Sequence, residues 1–174
     1  MANKGLVLTG FMGVGKSTVG PRVAKKLGLA YYDTDQQMEM AGIDVPSLVR
    51  TDQTAFRKLE IKTLEDTLEQ EPGVISTGGG IVSTEIGRRV LLSTTLPVIW
   101  LRAPFDDLKK RVAQDATQER PLFDDIKAAR ELYWQRLGWY ATTSGASVNA
   151  LLPAENIVED IVRLVRPGLQ TISS

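Results

Sequence analysis

Residues 10 to 18 read Gly10-Phe11-Met12-Gly13-Val14-Gly15-Lys16-Ser17-Thr18. Gly10, Gly15, Lys16 and Ser17 satisfy the spacing G-x-x-x-x-G-K-[ST], and the flanking sequence gives that spacing its meaning. Ahead of it, Gly5 to Thr9 (GLVLT) is a short apolar run of strand character. Behind it, Val19, Val23, Ala24 and Leu27 recur at helical spacing over Lys16 to Leu27. A glycine loop between strand and helix can turn its N–H groups inward round phosphate oxygens, with the positive end of the helix behind them. On this reading Gly13, Val14, Gly15, Lys16, Ser17 and Thr18 bind a nucleoside triphosphate: Lys16 adds a cation and Ser17 offers an oxygen to Mg²⁺. A ligand-free turn is the competing reading. Pro21, about one turn into the helix, predicts a local bend or a weakened first turn.

Working outward, the 174 residues are 43% hydrophobic and 24% charged, which suits one compact domain over residues 1–174. Lys plus Arg is 21 and Asp plus Glu is 21, so no global field draws the chain to nucleic acid or to an anionic membrane. Phosphate chemistry must then be arranged locally. With no His and no Cys, the chain has no imidazole base, thiolate nucleophile, disulfide or ordinary zinc site. Carboxylates, Lys, Arg, hydroxyls and backbone amides remain. No apolar stretch approaches the ~18 residues of a membrane span, and the polar start followed by four glycines up to Gly15 is unlike a signal peptide. A cytoplasmic monomer is the expectation.

Further along, Leu29 to Tyr32 suits a buried strand ending in Asp33, Thr34 and Asp35, and Asp33 to Arg50 reads as short helices broken at Gly42 and near Pro46. Thr54 to Glu69 is a stronger helix with Phe56, Leu59, Leu64 and Leu68 on one stripe. Gly73 to Ser76 is a strand running into Thr77-Gly78-Gly79-Gly80, Thr84 to Leu92 a helix, Pro97 to Leu101 a strand and Pro104 to Ala113 a helix. Residues 114 to 125, polar around Pro121, read as an exposed loop or lid. Ile126 to about Tyr140 and Ala154 to Arg166 are helical, Ala146 to Asn149 is a fifth strand, and the tail from Pro167 reads as frayed. Strands alternating with helices argue for an α/β fold with a parallel sheet covered on both faces, and in such sheets ligands sit at the carboxyl ends of strands.

Several side chains at those ends carry chemistry. Asp33 and Asp35, two apart, point the same way if the strand stays extended; one could hold metal while the other addresses a hydroxyl. Neither GVIS nor PVIWL ends in the acid that often faces the metal, which favours Asp33, although an Asp there also suits a helix cap. Glu60 falls in the apolar stripe of its helix and needs a partner, for which Arg57, three residues earlier, is placed. Arg136 sits on an inward stripe with Tyr133, Leu137 and Tyr140. Each arginine is either a satisfied interior charge or a clamp for a ligand anion. Gly78 to Gly80 is either a tight turn or a bare backbone surface for a ligand hydroxyl. Arg120 is either a solvated charge or a cation brought to a transferring phosphoryl, and Arg111 suits the negative pole of its helix. The aromatic residues from 133 to 140 read as core.

The order and spacing of GFMGVGKST, Asp33-Thr34-Asp35, Phe56-Arg57-Lys58-Leu59-Glu60, Thr77 to Gly80, Arg120 to Phe123 and Arg136 to Tyr140 resemble the shikimate kinase family. These are small P-loop kinases of the nucleoside-monophosphate-kinase type. The resemblance implies a three-layer α/β/α fold with five parallel strands ordered 2-3-1-4-5, a substrate segment over about 33–61 and a lid over about 113–125. It implies transfer of the ATP γ-phosphoryl to the 3-hydroxyl of shikimate in aromatic amino-acid biosynthesis. Asp35 would meet the acceptor hydroxyl, Asp33 would serve Mg²⁺ directly or through water, and Lys16 with Arg120 would offset transition-state charge. Arg57 and Arg136 would clamp the substrate carboxylate, Gly79 and Gly80 would line the ring site, and Arg111 with Pro153 would lie beside adenine. Two departures stand out: Asp52-Gln53-Thr54-Ala55 where the family often has Gly-Glu before Phe-Arg, and Leu137-Gly138 after Arg136. They bear on the substrate side more than on ATP. A gluconate-type kinase and a nucleotide-binding regulatory module without turnover are the rival readings.

Overall fold

The computed structural model describes residues 5–70, 72–115 and 121–166. Strands β1 (Gly5–Thr9), β2 (Ala30–Asp33), β3 (Gly73–Ser76), β4 (Val98–Arg102) and β5 (Ala146–Asn149) form one parallel sheet in the order β2-β3-β1-β4-β5. The helices are α1 (Lys16–Leu27), α2 (Thr34–Met40), α3 (Val45–Thr51), α4 (Gln53–Leu68), α5 (Glu85–Ser93), α6 (Phe105–Gln114), α7 (Ile126–Thr143) and α8 (Ala154–Val165). Short 3₁₀ turns cover Ile81–Ser83 and Pro121–Phe123.

The central strand explains the layering. Successive side chains of a strand point to opposite faces, and Leu6, Val7 and Leu8 of β1 are all wholly buried, so both faces of the sheet are covered. α1 packs on α8, while α4 meets α5 and α5 meets α7. α8 buries Ile157, Val158, Ile161 and Val165, and surface pairs Arg22–Glu155 (2.7 Å) and Lys26–Glu159 tie it to α1. Such exposed pairs add little beyond the apolar burial. No described helix is long and apolar enough to cross a membrane.

Where boundaries differ from the sequence reading, the backbone supplies the reason. β2 starts one residue later because the Leu29 N–H is spent closing α1, donating to Ala24 O at 2.9 Å. β4 starts after Pro97, which has no N–H for the ladder but accepts from Val7 N–H at 2.8 Å. Pro46 does not break a helix; it sits in the first turn of α3, where its missing donor costs nothing, and Asp44 caps that helix. Pro21 leaves α1 continuous, removing only the bond it would have made to Ser17 O. α7 runs on to Thr143. The reading of 114–125 as exposed holds only in part: Phe123 stacks on Phe105 at 5.9 Å and meets Phe11 edge-on, and Leu122 is half-buried. Residues 116–120 and the tail from Pro167 lie outside the described residues.

Registers Leu8↔Ser76 and Asp33↔Ser76 bring the ends of β1, β3 and β2 side by side. The glycine loop after β1, the Asp33 end of β2 and Thr77–Gly80 after β3 therefore share one edge. Close approach holds α1 there: a Cβ on Gly20 would lie 2.4 Å from Tyr31 Cε2 and 2.9 Å from Ser76 Oγ. Gly20→Ala is expected to lower stability by about 1–3 kcal/mol through overpacking, read as an earlier denaturant midpoint; an unchanged midpoint contradicts this packing.

Candidate active site

The phosphate loop ends at Gly15, whose φ of 104° at the N-cap of α1 is a left-handed conformation that disfavours any side chain. Val14 N–H donates to Phe11 O at 3.2 Å, folding the loop back, and Lys16 Nζ donates to Gly10 O at 2.6 Å. Lys16 thus arches over its own loop, and Thr18 and Val19 N–H close the first turn of α1 on Gly15 O at 3.1 and 2.9 Å. Ser17 and Thr18 are exposed at that end. Arg111 does more than face a helix pole: it donates to Val14 O at 3.2 Å and to Ala150 O at 2.6 Å. It joins the phosphate loop to the chain after β5, which leads to Pro153 at the N-cap of α8.

The two aspartates part company, contrary to the extended geometry expected of them. Asp33 ends β2 and caps α2, its Oδ1 accepting from Asp35 N (3.1 Å) and Gln36 N (3.3 Å), while its Oδ2 accepts from Tyr31 Oη at 3.1 Å. Asp35 belongs to the first turn of α2, so its carboxyl turns away from the strand direction into the protein. There its Oδ1 is buried without a hydrogen-bond partner among the described residues. Burial first, then the neighbouring charges of Glu60 and Asp33, push its pKa up to about 7, with Lys16 pulling the other way.

Glu60 is 1% exposed on α4 and pairs with Arg57 Nη1 at 2.6 Å, as the stripe anomaly implied. Burial pushes the Glu60 carboxyl up and the Arg57 guanidinium beside it pulls it down, with burial dominating. Its Oε1 is a second buried oxygen without a hydrogen-bond partner among the described residues. The glycine run lies directly on these charges. A Cβ on Gly78 would stand 2.2 Å from Glu60 Oε1 and 2.9 Å from Asp35 Oδ1, and one on Gly80 would fall within 1.9 Å of Arg57 Nη1. The Gly78 N–H is anchored to Thr34 Oγ1 at 3.2 Å. This is no ordinary tight turn: the bare backbone is needed because carboxylates and a guanidinium occupy the space side chains would take.

Arg136, 3% exposed, donates from Nε to Ser83 Oγ at 2.9 Å and from Nη1 to Gly79 O at 3.3 Å, and lies 5.5 Å from the centroid of the Phe11 ring. Burial lowers its pKa. Arg57 and Arg136, with Lys58, Gln53, Thr54 and Ser83, line a cleft of about 360 Å³ in which no acidic residue takes part among the described residues. The substituted segment before Phe56 therefore forms part of a cationic wall. Of the aromatic residues, Tyr133 and Tyr140 are core as expected, but Trp134 is 62% exposed. Ser83, Phe11 and the Tyr140 hydroxyl, which supports Gly79, escaped the sequence reading. Arg120 lies outside the described residues.

The arrangement is a phosphate loop, a buried unpartnered carboxylate and a pair of arginines at one edge of a parallel sheet. The family model for shikimate kinase matches residues 12–166. The chain belongs to the shikimate kinase family. A curated shikimate kinase of Bartonella henselae is 32% identical over 174 residues, covering 97% of this chain and 81% of the relative. The crystal structure of shikimate kinase from Aquifex aeolicus superposes with a TM-score of 0.76 at 32% identity, over 94% of this chain and 96% of that one. Shikimate kinase from Acinetobacter baumannii in complex with shikimate reaches a TM-score of 0.85 over 96% and 95%, at 24% identity, a likeness of fold. Membership makes the chain an ATP-dependent kinase, and the strand order 2-3-1-4-5 is the one expected.

Gly80→Ala tests how the glycine run supports the arginine. The displaced atoms belong to the end of a flexible side chain, so the protein is expected to fold while Arg57 is pushed aside. Shikimate KM is expected to rise about tenfold or more with ATP KM nearly unchanged; steady-state kinetics with each substrate varied would show a flat shikimate KM if the contact were incidental.

Proposed function

We propose that Lys16, Asp35, Arg57, Gly79, Gly80 and Arg136 carry out in this chain the reaction of its family: ATP and shikimate give ADP and 3-phosphoshikimate. The observation that supports these roles is the buried Asp35 Oδ1, without a hydrogen-bond partner among the described residues and close to the charges of Lys16 and Glu60, the latter paired with Arg57. A buried acceptor oxygen is costly unless a ligand donates to it. The 3-hydroxyl of shikimate is that donor. Its oxygen attacks the γ-phosphorus as the bond to the ADP oxygen breaks, and its proton passes to Asp35 Oδ1. Arg57 and Arg136 hold the substrate carboxylate, which fixes the ring over Gly79 and Gly80 and aligns the hydroxyl; positioning and charge offset supply the rate. Lys16, with Arg120 on the same reading, neutralises charge growing on the phosphoryl oxygens. Gly13, Val14, Gly15, Ser17 and Thr18 hold the phosphates, and Arg111 and Pro153 border the adenine.

Mg²⁺ belongs to this reading too. Among the described residues no cluster of three or more acidic side chains forms a cage of its own, which suits an ion carried mainly by nucleotide phosphates. Ser17 Oγ at the loop and Asp33 Oδ2, which keeps lone-pair capacity beside its bond from Tyr31, are hard oxygen donors that fit it, directly or through water. When bound, the ion neutralises phosphate charge. The remaining parts are one domain over 1–174, a substrate segment over 33–61, a lid over 113–125 that excludes water, action as a monomer and a cytoplasmic location.

ADP release from ATP and Mg²⁺ is expected only with shikimate present. Equal release without it, or none with it, would sink the reading. Asp35→Asn is expected to lower kcat by 10²-fold or more while nucleotide still binds; near-wild-type turnover removes Asp35 from the chemistry. Because Asp35 must be ionised to accept the proton and its pKa stands near 7, kcat/KM for shikimate is expected to rise with pH up to about 7 and then level off. In Glu60→Gln, which removes a neighbouring negative charge, that rise is expected at lower pH. A pH profile with the limb unmoved contradicts the coupling.

A further inference from the structure

The Tyr140 hydroxyl has no part in the reaction as derived above, yet its geometry ties the two substrate sites together. Tyr140 is wholly buried on α7, one turn after Arg136, with its ring stacked on Trp100 of β4 at 5.8 Å. Phe would fill the same space without bringing a polar atom inside, so packing alone gives no reason for the phenol. Its hydroxyl donates to Gly79 O at 2.5 Å, the same carbonyl that accepts from Arg136 Nη1. Burial raises the phenol's pKa, so it remains a donor throughout the working pH range.

Gly79 faces the phosphate loop on its other side. A Cβ there would lie 3.1 Å from Met12 N and 3.2 Å from Gly10 O, so its backbone rests on the loop that holds nucleotide phosphates. One peptide is thus braced between the phosphate loop and a tyrosine–arginine pair. Arg136 has no carboxylate partner among the described residues, and its direction depends on Gly79 O, Ser83 Oγ, the Phe11 face and the adjacent Tyr140 hydroxyl. Loss of the tyrosine bond would let the carbonyl rotate, and both the arginine and the loop contact would move with it.

We propose that the Tyr140 hydroxyl is a positioning group: by fixing the Gly79 carbonyl it aims Arg136 at the acid substrate and couples that site to the phosphate loop. The proposal rests on the reading that Arg136 and Gly79 line the shikimate site. The coupling is reciprocal: nucleotide that orders the loop raises affinity for the acid, and the acid raises affinity for nucleotide by the same factor.

The test is Tyr140→Phe, which keeps the ring and its stack on Trp100. Shikimate KM is expected to rise about five- to tenfold, with kcat and the affinity for ADP in the absence of shikimate within about twofold. The gain in shikimate affinity on adding ADP, measured by titration calorimetry, is expected to shrink. Ser83→Ala, which removes another anchor of Arg136 from a different segment, is expected to raise shikimate KM in the same direction and carries the test should the first variant fold poorly. A lower thermal midpoint in Tyr140→Phe with shikimate KM and the ADP effect unchanged overturns the proposal, since the bond would then be merely structural. Unchanged KM in both variants overturns it as well. Wild-type protein that turns over no shikimate overturns the functional reading and this inference together, whereas active wild type with an unaffected variant overturns this inference alone.

Discussion

A charge inside a protein must find a partner, and the Arg57–Glu60 pair meets that requirement in a way that shapes everything around it. With Glu60 almost fully buried and Arg57 bound to it, the chain passing over them has no room for side chains at 78 and 80, while Gly79 between them lies against the phosphate loop. Removing one member of such a pair would leave the other charge buried and uncompensated. Since the same backbone also lies against Asp35 and the phosphate loop, the pair fixes how the Asp35 carboxyl and that loop are set beside each other. The sheet contributes the register that places these segments side by side.

Zero net charge takes on a different sense in this setting. The cations of the site are concentrated, not numerous: Lys16 bends over the phosphate loop, and Arg57, Lys58 and Arg136 share one cleft wall to which no acid contributes among the described residues. Glu60 offsets Arg57 from within the fold, while many other charges form exposed pairs such as Arg22–Glu155 and Lys62–Asp66, which water screens. Local attraction for two anionic ligands therefore coexists with a neutral whole.

Much of this was legible in the sequence because local signals carried it. The glycine loop is read from spacing and context, β1 from an unbroken apolar run, and Glu60 from a charge in an apolar stripe, since each depends on residues within a few positions. The errors came where one element gives way to another. Asp33 and Asp35 were set in one extended strand because two-residue spacing is ambiguous, whereas a helix starting at Thr34 takes Asp33 as its cap and sends Asp35 inward. Trp134 was assigned to the core by its neighbours' stripe, though it falls on the other side of α7. The bond from Tyr140 to Gly79 spans 61 positions, and no local pattern encodes a contact of that separation.

The absence of His and Cys becomes intelligible through Asp35. An ordinary exposed carboxyl titrates near 4 and is a weak acceptor at neutral pH, but burial beside Glu60 brings this one to about 7, the range an imidazole would cover. That tuning has a cost with a definite sign. A carboxyl whose folded pKa is raised above its unfolded value favours the fold while protonated, and the advantage is lost as pH rises from about 4 through 7. At neutral pH Asp35 is therefore a partly ionised, poorly solvated acid that weakens the fold. On the proposed reading, a substrate hydroxyl donating to Asp35 Oδ1 would offset that cost at the atom that takes up the proton.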